Sequence, residues 1–130
     1  MDNTVEFQAR IEKTRSQIER DYKEAFQTVK KLKNKMNKLE QNIIHKERTQ
    51  TIQDLNALDM AIKRLNKLTD LQISRSKKAW EDCRKLEHDC EQYELRPIQL
   101  DNLRVLCKKM EELAADLLCY SLGRFRPSQQ

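Results

Sequence analysis

Helix breakers are nearly missing from this 130-residue chain: it has one glycine, Gly123, and two prolines, Pro97 and Pro127. A single glycine excludes a glycine-rich phosphate loop. Aromatic residues make up only 5% and charged residues 36%, a balance that disfavours a globular core of ordinary thickness and suits elongated helices with solvated faces. No apolar run approaches the roughly 18 residues needed to span a bilayer. The opening MDNTVEFQAR carries acidic residues and no hydrophobic segment, so it is not read as a secretory signal. An intracellular protein, cytoplasmic or nuclear, with its four cysteines reduced is the expectation.

What is present is periodicity. Apolar residues recur three and four apart from Ile11 to Tyr93, the spacing that lays a narrow seam along one side of a helix. Disordered chains have no reason to space their leucines in this way. The predicted fold is all-α and elongated: a coiled-coil or helical-hairpin bundle of two long helices and a shorter C-terminal one.

The first helix is expected to start near Asn3, with Asn3 and Glu6 as a reciprocal cap. Its seam runs Ile11, Ile18, Tyr22, Ala25, Val29, Leu32, Met36, Leu39, Ile43, with Arg15 as one charged slot. The register then fails through HKERTQTIQD, a polar stretch without a breaker. A turn near residues 45–51, with Thr51 capping a second helix through Asp54, is the favoured reading and gives an antiparallel hairpin. The alternative is one continuous helix whose seam slips round its surface.

The second seam runs Leu55, Leu58, Ile62, Leu65, Thr69, Gln72, Ser76, Ala79, Cys83, Leu86, Cys90, Tyr93, polar in its middle. Polar seam positions cost stability and can fix register. Residues 1–94 thus form the long helices. Pro97 ends the second helix or opens the third, which spans 97–122 with Leu103, Leu106, Met110, Leu113, Leu117 and Tyr120 on its seam and Leu100, Cys107 and Ala114 flanking it. Gly123 is expected to stop it, leaving 123–130 as a flexible tail. A third helix this short cannot cover two long ones, so some seam is left bare for another chain, and a homodimer or hetero-oligomer is expected. Trp80, Leu103, Leu106, Met110, Leu113 and Leu117 are the candidate interface; Trp80 would equally pack on the chain's own third helix.

Chemistry is sparse. Cys83 and Cys90 lie seven apart and Cys107 and Cys119 twelve apart, spacings that match no zinc site, so buried inert thiols are expected. His88 and Cys90, two apart on a helix, point in divergent directions. No catalytic, cofactor or metal site is therefore expected. The net charge of +5 arises from 26 basic and 21 acidic residues, largely intermixed. One basic run stands out: Lys31, Lys35 and Lys38 share a stripe flanked by Lys30 and Lys33, which could track a polyanion such as nucleic acid, a microtubule or an anionic membrane surface.

The heptads at 11–43 and 55–93 resemble those of coiled-coil proteins in general. Length and pattern are similar to small helical subunits of kinetochore, augmin, vesicle-tethering and synaptonemal assemblies, and to fragments of membrane-bending crescent-domain proteins. The bare seams point to a non-enzymatic scaffold subunit, which that resemblance would place in a cytoskeletal, chromosomal or trafficking complex; a polyanion-binding module built on the lysine stripe is the alternative.

Overall fold

A computed structural model describes residues 3–45 and 48–125, which form three helices: α1 (Asn3–His45), α2 (Arg48–Gln92) and α3 (Ile98–Phe125). The chain doubles back after α1. At one end Arg10 donates from Nη2 to Asp89 Oδ2 at 2.8 Å, and the rings of Phe7 and Tyr93 meet with centroids 5.4 Å apart. Further along, Val29, Leu32 and Met36 share a core with Ala61 and Leu65. This is the antiparallel hairpin; residues 46 and 47 of the expected turn lie outside the described ones. α3 runs antiparallel to α2, as three cross-links show. Arg104 Nε donates to Glu87 at 2.6 Å, Trp80 Nε1 to Glu111 at 2.8 Å, and Ser121 Oγ to Asn66 Oδ1 at 2.7 Å.

The core follows the predicted seams with three shifts. On α1, Ile11, Ile18, Ala25, Val29, Leu32 and Met36 are buried and Phe7 extends the line by one turn, while Tyr22, Leu39 and Ile43, expected on the seam, are only partly buried. Arg15 stays on its own helix surface, bonded to Glu12 at 3.0 Å and paired with Glu19. On α2 the line holds from Leu65 to Cys90, but Leu55 and Tyr93, expected inside, are exposed, and Asp54 and Ala61 are buried instead. For Leu55 the cause is a missing neighbour, whereas Tyr93 lies past the last residue of α2, Gln92, with its ring against Phe7. Below Leu65, α2 faces α1 alone, so only the strip pointing at α1 is covered. On α3 the buried line is Leu100, Leu103, Cys107, Met110, Leu113, Ala114 and Leu117, while Leu106 and Tyr120 are only partly buried. Because α3 lies against both long helices, its buried face is centred toward the expected flanking stripe.

Two helix ends also differ. α2 begins at Arg48, so Thr51 is already inside it and does not cap it; with no breaker in the segment, the helix propagates back past the threonine. Gly123 does not stop α3, which continues to Phe125 with no glycine at positive φ. Residues 126–130 of the expected tail lie outside the described ones.

The real left-handed stop is Glu94, at φ 57°. Leu95 N donates to Cys90 O at 2.9 Å and Glu94 N to Glu91 O at 3.0 Å, a paired closure that satisfies the last carbonyls of α2 before Pro97, the residue preceding α3. The glycine and the left-handed turn are thus at different places. Glu94→Gly should relieve the Cβ penalty of a left-handed residue, and Gly123→Ala should add helix propensity where a Cβ meets nothing within 4 Å. Each is expected to stabilise the fold by about 0.5–1 kcal/mol, read by thermal unfolding followed by circular dichroism.

Candidate interaction surfaces

Two apolar clusters fill the bundle. One joins Ile11 and Ile18 to Cys83, Leu86, Cys90, Leu103 and Met110; the other joins Val29, Leu32 and Met36 to Leu65, Leu113 and Leu117. Of the candidate interface, Leu103, Met110, Leu113 and Leu117 are therefore packed within their own chain. Leu106 lies at the rim of the first cluster, and Trp80 packs there too while its indole donates to Glu111 on α3. The structure realises the intrachain option for Trp80.

The cysteines sort by depth. Cys83, Cys90 and Cys107 are buried and Cys119 is exposed. Cys83 donates to Glu87 Oε1 at 3.3 Å. The Cys107 thiol beside it, its burial and that donation push the Cys83 thiol far above its usual range. His88 is exposed while Cys90 is wholly buried, so the two do not meet. Among the described residues no group of three or more His, Cys, Asp or Glu is placed to hold a metal ion. No described helix is long and apolar enough to cross a membrane.

Exposed large apolar side chains occur along all three helices, among them Phe26, Met60, Val105 and Leu118, and two uncovered places join residues of both long helices. The first is the hairpin stem. α3 reaches Asn66 through Ser121, and α2 continues 18 residues beyond, to Arg48. About 20 Å of paired α1 and α2 therefore projects past the end of α3. The side that α3 would cover if longer can be traced by helical steps. Lys33, whose Nζ sits 4.6 Å over the Tyr120 ring, leads through residues 37 and 40 to Ile44. Asn66 leads through Ile62 and Asp59 to Leu55 and Ile52. Ile44 is 70% exposed, Ile52 58% and Leu55 49%.

The second is the groove between α1 and α2 that no residue of the stem or, in its lower part, of α3 lines. That lower part has a volume of about 560 Å³ and is bounded by Lys31 and Lys35 on α1 and Arg64 and Lys67 on α2, over Leu32, Leu68 and Leu71. No acidic residue lines it, and among the described residues none of these four cations is in an ion pair. The upper part, about 530 Å³, is lined by six more cations and by Asp21 and Asp82. There the charge is partly answered: Lys78 pairs with Asp82 at 3.6 Å, and Arg10 with Asp89, whose carboxyl it holds below the usual range. Together the two parts take ten of the 26 basic residues and two of the 21 acidic ones. The rest of the chain, with 16 against 19, leans acidic.

No family model, curated protein or solved structure matches this chain. What its surfaces can do is therefore a matter of their own chemistry. Of the five candidate lysines, Lys31 and Lys35 line the groove, Lys33 turns away to Tyr120, and Lys30 and Lys38 are exposed outside it. Arg64 and Lys67 are the groove residues that sequence reasoning missed. Antiparallel pairing places residue 31 near 68 and 35 near 64, as the Arg10–Asp89 pair implies. That register was the signal that would have found them.

Proposed function

We propose that this chain is a non-enzymatic structural subunit that joins a multiprotein assembly through its helices, the hairpin stem being the protein-binding end. The single supporting observation is the bare apolar strip of Ile44, Ile52 and Leu55, lying where the third helix would continue. The apolar side chains of the two core clusters are by contrast covered by the chain itself. A strip of three aliphatic residues on two paired helices offers a ridge and groove to a further helix, from a second copy or from a different protein. Burying each such side chain contributes about 1.5–3 kcal/mol.

Replacing Ile44 and Leu55 with Ser tests this without touching the core, since both are exposed in the chain by itself. The wild-type protein should show a mass above 15.6 kDa in light scattering, or bring a stoichiometric protein partner through purification from its native cell. The double substitution should lose that association while keeping its helical circular dichroism. A wild-type protein that stays monomeric and partnerless, or a variant that associates as before, overturns the assignment.

A further inference from the structure

We propose that the lower α1–α2 groove is a second docking site, separate from the stem, that takes an acidic amphipathic helix of a partner protein. Charge complementarity carries the proposal. Lys31 and Lys35 stand on one wall and Arg64 and Lys67 on the other, all solvent-exposed and none in an ion pair among the described residues. Between the walls the floor is leucine: Leu68 is half-buried and Leu71 is 44% exposed.

This arrangement has the pattern of a helical seam seen from the receiving side. A helix laid along the groove would put apolar residues three and four apart onto the floor. Its flanking positions would then face a cationic wall on each side, where glutamates suit both. The spacing fits as well: Lys31 and Lys35, like Arg64 and Lys67, lie about one helical turn apart, so glutamates one turn apart on the guest can meet each in sequence. The same two helices already accept a helix on their other side, where α3 lies.

Two other polyanions are disfavoured by the same residues. A nucleic-acid backbone gains nothing from a leucine floor, and no aromatic side chain lines the groove for bases to stack upon. An anionic membrane is met by a broad outward face, whereas these cations rim a cleft between two rods. An acidic helix uses both the floor and the walls.

The test uses the full-length chain and a fluorescein-labelled peptide of three heptads, with leucine at a and d and glutamate at e and g. Fluorescence anisotropy at physiological salt reads binding. Three further ligands are an analogue peptide with every leucine replaced by serine, a short DNA duplex, and phosphatidylserine–phosphatidylcholine vesicles. The leucine peptide should bind, and the double substitution Arg64→Glu, Lys67→Glu should weaken it by about tenfold or more. Leu71→Asn should also weaken the leucine peptide, while leaving whatever weak binding the serine analogue shows. All variants should keep wild-type helicity, because the altered residues are exposed. No binding of the leucine peptide overturns the proposal. So does equal binding of both peptides, or tighter binding of DNA or vesicles that Leu71→Asn leaves unchanged: those outcomes mark a plain polyanion surface. Since Ile44 and Leu55 lie outside this groove, the stem double variant should bind the peptide as wild type does, which keeps the two sites' failures apart.

Discussion

Leu103→Ala should lower the unfolding free energy by about 2–5 kcal/mol, the cost of deleting a large aliphatic side chain from a packed site that cannot fully collapse. Leu103 has no exposed surface and sits in the first cluster, where α3 meets both long helices among Ile11, Cys83, Leu86 and Cys90. Three helices contribute to the walls, so no single one can move to fill the void. Leu106, three residues on, lies at the rim of the same cluster and is only partly buried. Its replacement by Ala should cost well under half as much, because solvent and flexible neighbours reach the gap. Urea unfolding of the two variants, compared at constant m-value, checks both numbers at once. Equal losses would mean that α3 is rotated from the register described.

The same contrast decides how assembly should be probed. An Asp at Leu113 or Leu117 would place a carboxylate inside the second cluster, and the chain would lose α3 docking before any partner contact could be read. Exposed positions such as Ile44 and Leu55 separate association from folding. The interior leucines do not.

Much of this arrangement was legible in the residues. The spacing from Ile11 to Met36 marks one face of a helix, and the structure buries that line with Phe7 added and Tyr22 only partly covered. Leu55 was misread because periodicity shows which residues share a face and not how many helices stand before it. The face of Leu55 is the one α3 would cover, and α3 ends too soon. Gly123 was misread for a related reason. Glycine ends helices by tolerating a left-handed residue, but α3 continues through it, and Glu94 takes that conformation although no residue type announces it. Arg64 and Lys67 escaped notice because they join Lys31 and Lys35 only across the hairpin. A charge stripe read along one helix is blind to the wall that its neighbour supplies.

Gln72 is where the seam most strongly departs from what a core requires, and changing it should raise stability. Its side chain has no exposed surface, and neither Oε1 nor Nε2 has a hydrogen-bond partner among the described residues. Thr69 and Ser76, one turn to each side, are also buried, and Thr69 satisfies its hydroxyl by donating to Leu65 O at 2.7 Å. Gln72 makes no such bond. A buried amide left unbonded carries a desolvation penalty of about 1–3 kcal/mol, and methionine has nearly the same length and shape without it. Gln72→Met should therefore stabilise the bundle by about that amount, a rise in Tm of several degrees for a domain of this size. The polar layer also lies between the two apolar clusters on α2 and interrupts an otherwise slippery line. With Thr69–Gln72–Ser76 intact, sliding α2 by a heptad against its neighbours moves an amide into a wholly apolar layer; with methionine that penalty disappears. The variant should accordingly be more stable yet less exclusive, forming a larger share of higher-mass species in light scattering as concentration rises. A fall in Tm for Gln72→Met would show that the amide is bonded in the folded chain and holds the bundle together rather than merely keeping it in register.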